Sequence, residues 1–162
     1  MATISVIKPT EDGTHPTRMS AVKVPYTVER VIDVAELVAA KGSALAAADV
    51  IEVFKVPAHT VVLGAFIGKV EASDATTLTF DVVKGSTDFI TGYNAQAAAV
   101  NSVATGIVSP SPRVVTDRPD DVVSIEIATL TGALTKGKFR VIGYLTDISE
   151  FNSNPGIAAL GS

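Results

Sequence analysis

The chain has 162 residues, a net charge of −4, no cysteine and two histidines, and 52 of its residues are valine, isoleucine or threonine. One domain's length of β-branched sequence, 47% hydrophobic and 19% charged, excludes a disordered chain, a disulfide framework, a cysteine zinc site and a thiol nucleophile, and its acidic balance speaks against a protein that tracks nucleic-acid phosphates. A chain this apolar hides much of its surface, in its own core or against partners.

Residues 1–25 differ in character from the rest of the chain. Pro9, Pro16 and Pro25 force extended geometry on themselves and their predecessors. Between them lie apolar patches: Ile4, Val6 and Ile7, then Met19, Val22 and Val24. Two readings stand, a frayed terminus or an extended N-terminal arm that lies on a neighbouring subunit. The start lacks the basic-then-apolar run of a secretory signal. No window offers ~18 uninterrupted apolar residues, so no membrane helix is expected; the nearest case, residues 38–50, is broken by Lys41, Gly42, Ser43 and Asp49. The expectation is a protein made in the cytoplasm that stays soluble or assembles there.

From residue 26 the pattern has period two: Tyr26, Val28, Ile32 and Val34 alternate with Thr27, Glu29 and Asp33. Residues 36–49 are alanine-rich, but Gly42 and Ser43 interrupt them, so they read as a loop. Residues 50–56 form a second strand ended by Pro57. Residues 61–70 form a long third strand in which Gly64 and Gly68 mark bulges or points of close packing. Residues 78–83 come next, with Leu78, Phe80 and Val82 inward, then a turn at Lys84-Gly85-Ser86 and a short strand over 88–93.

Residues 89–112 contain no charged side chain. They read either as a crossover buried under the sandwich or as a surface that meets another protein, since charge depletion marks interface cores. Val114 and Val115 make a brief strand, and residues 116–121 a polar turn. Residues 122–129 alternate most clearly, with Val123, Ile125 and Ile127 inward. Residues 138–146 close the sheet, with Phe139, Val141 and Leu145 on one face. Residues 148–162 are a charge-poor tail. The sum is an all-β protein, an antiparallel β-sandwich or jelly roll of about eight strands over residues 26–147.

No residue set points to catalysis, a metal or a cofactor. His15 and His59 lie in loop-like surroundings without ligand spacing. No G-x-S-x-G elbow, phosphate loop or dinucleotide fingerprint is present. Asp117, Asp120 and Asp121 cluster, but with Arg118 among them they read as a solvated turn rather than a calcium loop. Glu11 with Asp12, and Asp147 with Glu150, read as exposed tail charges. Lys136, Lys138 and Arg140 read as the polar face of an edge hairpin, not a nucleic-acid stripe. Tyr26, Tyr93 and Tyr144 are the only tyrosines, a thin supply for a sugar-binding platform.

The run Ala48-Asp49-Val50-Ile51-Glu52-Val53-Phe54-Lys55-Val56-Pro57-Ala58-His59-Thr60-Val61-Val62 resembles virion proteins of tailed bacteriophages, in which such a strand and turn lead into a long strand. Asp120-Asp121-Val122-Val123-Ser124-Ile125 resembles a later strand of theirs, and Leu130-Thr131-Gly132-Ala133-Leu134-Thr135-Lys136-Gly137-Lys138-Phe139-Arg140-Val141 their closing hairpin. The similarity spans residues 49–147. It implies a non-enzymatic capsid decoration (cement) or head protein at the virion surface, a homotrimer seated on the major capsid protein, with neither nucleic acid nor membrane as partner. The candidate interface then comprises Ile4, Val6, Ile7, Met19, Val22 and Val24 of the arm, and Phe89, Tyr93, Asn94, Gln96, Ala98 and Val103 of the uncharged stretch. The alternative is a carbohydrate- or receptor-binding module of a virion or cell surface; a β-sandwich hydrolase comes third. A charge placed at Ala98 or Val103 is expected to disturb oligomerisation, read by light scattering, more than the melting temperature; normal oligomers with a collapsed melting temperature favour the buried crossover.

Overall fold

The structure, a computed structural model, describes residues 2–5, 25–57, 60–107, 114–116 and 121–147. Period-two alternation gives each strand one apolar side, and two sheets bury those sides against each other. In chain order the elements are β1 (Thr3–Ser5), β2 (Tyr26–Asp33), α1 (Val34–Lys41), β3 (Val50–Val56), β4 (Thr60–Glu71), β5 (Thr77–Lys84), β6 (Thr87–Asn94), β7 (Val103–Ile107), β8 (Val114–Thr116), β9 (Asp121–Thr131) and β10 (Lys138–Asp147). The first sheet has the order β1-β3-β9-β5-β6; the second runs β2-β10-β4-β7, with β8 also paired to β4. The β1–β3 ladder is parallel and the other described ladders are antiparallel. The protein is an all-β sandwich.

The core sits between the sheets. Val53, Val62, Ile67, Leu78, Val82, Val123, Ile127, Val141 and Leu145 are fully buried. Phe80 of the first sheet meets Phe139 of the second edge-on, with ring centroids 4.8 Å apart and planes at 74°, an arrangement that puts a positive ring edge on a negative ring face. Farther along β10 the sheets come so close that the strand carries glycine. A Cβ at Gly143 would collide with the edge of the buried Phe54 ring and lie 3.0 Å from Leu145 Cδ1.

Three sequence expectations change. Residues 36–49 are not all loop, because residues 34–41 form a helix. Asp33 caps it by accepting the Ala35 N–H at 2.9 Å, and Gly42, at φ 76°, closes it by donating its N–H to the Val38 carbonyl at 2.8 Å. The glycine ends the helix instead of preventing it, since the left-handed cap favours glycine. Val34 and Leu37 are its buried side. Second, β10 is no edge strand, for β2 and β4 flank it; Lys138 and Arg140 stand on the outer face of the second sheet. Third, Thr3–Ser5, inside the segment read as an arm, pairs with β3, and Ile4 opposite Ile51 is 9% exposed.

In β4 the register shifts skip Leu63 and Val70, so the bulges fall there and not on a glycine. Gly68 is a point of close packing, where a Cβ would lie 2.7 Å from the Ser102 carbonyl oxygen. Among the described residues no helix is long and apolar enough to cross a membrane. The substitution Gly143→Ala is expected to cost about 1–3 kcal/mol, read as a lowered denaturant midpoint at unchanged slope; an unchanged midpoint would show that Phe54 moves aside freely.

Candidate protein-interaction face

The inner packing decides which side chains point outward. With Val141, Gly143 and Leu145 buried, strand alternation turns Arg140, Ile142 and Tyr144 to the outer face of the second sheet. The ladders place Val31 beside Arg140, Arg140 beside Gly68, and Gly68 beside Val103; one row along, Glu29 stands opposite Ile142 and Ile142 opposite Phe66; the next row joins Thr27, Tyr144 and Gly64. Phe66, Ile142 and Tyr144 are therefore an adjacent apolar group on this outer face, and Val31 and Val103 lie one row away with Arg140 and Gly68 between them.

The large hydrophobic side chains exposed among the described residues are Val31 (48%), Val100 (50%), Val103 (50%) and Tyr144 (37%). Three lie on this face, and Val100 lies in the turn leading into β7. Ion pairs border it. Arg140 Nε lies 2.9 Å from Glu29 Oε1, and Lys138 Nζ lies 3.3 Å from Asp33 and 3.7 Å from Glu71. Asp33 first, then Glu71, holds the Lys138 ammonium above its ordinary value. An apolar centre with a charged rim is how protein interfaces are built. The outer side of the first sheet differs, carrying Glu52, Lys55, Asp81 and Glu126, with Asp81 and Glu126 directly opposite each other. Facing carboxylates favour hydration.

The structure separates the interface residues expected from sequence. Val6, Ile7, Met19, Val22 and Val24 lie outside the described residues, as do His15, His59, Asp117, Arg118 and Asp120. Ile4, Phe89 and Tyr93 are buried within the chain itself. Asn94 folds the turn after β6, its Oδ1 accepting the N–H groups of Gln96 (3.1 Å) and Ala97 (2.9 Å). Gln96 donates to Ser73 Oγ at 2.5 Å, and Ala98 packs partly against the core. Of that set Val103 stands on the apolar face. The structure divides the described part of the uncharged stretch: Phe89, Ile90, Tyr93 and Ala95 are buried, and the turn from Ala97 to Val103 is half-buried to exposed. The sequence reading missed Val31, Phe66, Ile142 and Tyr144. Their signal was present, since they are apolar residues at the outward phase of strands whose inward phase is already filled.

The perturbed carboxylates are structural ties. Asp49 is 2% exposed. Burial alone would raise its carboxyl, but the Lys41 ammonium and the N–H groups of Ala46 and Ala2 outweigh that and hold it below 3.8. Asp74 accepts the Thr135 hydroxyl at 2.5 Å and the N–H groups of Thr135 and Lys136 at 2.9 and 3.1 Å, which brings it down to about 2. Each ties the end of the sandwich that holds α1 and the β4–β5 and β9–β10 turns. Burial pushes the Tyr93 phenol up, and Asp121 pairs with Lys84 at 2.9 Å. Among the described residues no three histidines or acids come together as metal ligands.

No protein-family model matches the chain, and no curated protein matches it. Among the solved chains that share its fold are two from phage capsids. A chain of the Cyanophage Pam1 capsid asymmetric unit matches with a TM-score of 0.60 at 15% identity, over 88% of this chain and 98% of that one. A chain of the capsid of Ralstonia phage GP4 matches with a TM-score of 0.60 at 16% identity, over 92% of this chain and 100% of that one.

Both depressed carboxyls titrate lower in the folded chain than in the unfolded one, so each stabilises the fold at neutral pH and loses that contribution as pH falls through its folded value. Thermal stability is expected to hold above about pH 5 and to decline below 3.8, with the Asp74 share lost towards about 2. Asp49→Asn should lose about 3 kcal/mol at neutral pH and decline less steeply in acid; an acid profile identical to that of the parent protein would show that Asp49 plays no part in the acid response.

Proposed function

We propose that the chain is a non-enzymatic structural protein of a phage virion, seated on the capsid through the outer face of its second sheet. The observation that carries this is the placement of the exposed large hydrophobics: Val31, Val103 and Tyr144 share one sheet face, and Val100 adjoins it. A solvated sandwich face alternates apolar-in with polar-out, as the first sheet does. An apolar outer face is stable when another protein covers it. The fold supports a capsid protein as the occupant: solved chains that share it over nearly their whole length come from phage capsids. Tyr144, Phe66 and Ile142 supply the anchors, and the Arg140–Glu29 and Lys138–Asp33 pairs supply a rim that fixes orientation.

In this reading the protein decorates the shell as a homotrimer, with the major capsid protein as its partner. Three copies of one modest face bind together far more tightly than any one alone, and a shell clamped at several points resists outward pressure from packaged DNA. A sugar-binding module would need exposed aromatic rings. Tyr93 is buried, so Tyr144 is the tyrosine of this face able to serve.

Virions assembled with Val31→Asp/Tyr144→Asp chains should carry at least about tenfold less of this protein, the loss that 1.4 kcal/mol of binding free energy produces, while the isolated variant melts like the parent. Unchanged occupancy, or absence of the parent protein from virions, contradicts the proposal. Glycan binding abolished by Tyr144→Ala would move the face to the sugar-binding reading.

A further inference from the structure

β1 is three residues long and joins its sheet in parallel, with Thr3 opposite Val50, Ile4 opposite Ile51 and Ser5 opposite Glu52. Its slot is demanding. The Val50 N–H donates to the Ala2 carbonyl at 2.8 Å, and the Ala2 N–H donates to Asp49 Oδ1 at 2.9 Å. Ile4 fills the core beside Ile51. An empty slot leaves β3 with an unpaired edge, a buried carboxylate short of a donor and a hole where Ile4 stood, each of which costs free energy. The slot has to be filled.

Nothing in those contacts requires the filling strand to come from the same chain. Ser5 and Pro25 are separated by residues 6–24, and nineteen residues reach up to about 65 Å when extended. A domain of this length is about 40 Å across. The linker is thus long enough to deliver residues 2–5 to a neighbour, whose slot is chemically identical. Exchange of an element under these conditions costs little and links copies by main-chain hydrogen bonds and an apolar anchor.

We propose that in the oligomer β1 is exchanged, so that residues 2–5 of one copy fill the β3 edge of the next. The occupant is a second copy of this chain. The inference rests on the self-association proposed above and is independent of capsid docking.

The chain has no cysteine, so an introduced pair reports cleanly. Thr3 is exposed, Val50 partly so, and the two are register partners. Thr3→Cys and Val50→Cys chains are co-expressed, purified as the native oligomer, oxidised and run on a non-reducing denaturing gel. Exchange predicts a linked pair at twice the 16.7 kDa chain mass, absent when Ala97→Cys, at an exposed turn, replaces Val50→Cys. No linked pair overturns the proposal. In that case closure of the Thr3→Cys/Val50→Cys double variant within single chains shows that the strand stays at home. Light scattering separates the two failures, because an oligomer without linked pairs refutes exchange alone, whereas a monomer refutes self-association as well.

Discussion

At the centre of the sandwich the two sheets approach so closely that the second can set only a glycine against the Phe54 ring. That contact, with the edge-on Phe80–Phe139 pair four residues back along β10, fixes the phase of β10 and through it the rest of the second sheet. A slip of one residue would drive Ile142 or Tyr144 into the space that Gly143 leaves open and turn Val141 and Leu145 to water. Because the inner side is settled this way, the outer side has no freedom. Arg140, Ile142 and Tyr144 must face out, and the apolar outer surface is the other side of the same strand that builds the core.

The two outer faces then divide the work. The first sheet shows carboxylates and a lysine to solvent, and the second shows Phe66, Ile142 and Tyr144 inside a border of ion pairs. The ends differ as well. The end holding α1 is locked by Asp49 and Asp74, each accepting several donors, and by the N–H of Val34 on the Gly137 carbonyl at 3.0 Å. Such ties keep the strands in register without adding to the core. Among the described residues, the outer side of the second sheet is the face that gathers exposed apolar side chains.

Strands with clean alternation were legible in the sequence. Residues 50–56, 78–83, 122–129 and 138–146 are strands within a residue or two of where the pattern puts them, because a half-buried strand must show period two. The helix over residues 34–41 was not, since eight residues give too few turns for a periodic signal and Gly42 reads equally as breaker or cap. The position of β10 in its sheet was illegible for another reason: sheet order comes from long-range pairing, which no local pattern records. The same gap hid the apolar outer face. Val31 and Tyr144 are ordinary residues in their own strands and become a patch only when the ladders set β2, β10 and β4 side by side. Lack of charge in residues 89–112 pointed to something real but could not divide buried β6 from the exposed turn after it. The seat of Ile4 beside Ile51 was illegible because three residues of parallel strand leave no sequence signature of their own.

In the proposed arrangement the outer face of the second sheet seats the protein in a virion. Image reconstruction of intact particles tests it most directly, by showing which side of the sandwich meets the shell. The expected result is Tyr144, Ile142 and Phe66 closed against a capsid protein and the Glu126–Asp81 face turned to solvent. Particles in which the protein is present but seated by its first sheet, with Tyr144 open to water, would contradict it.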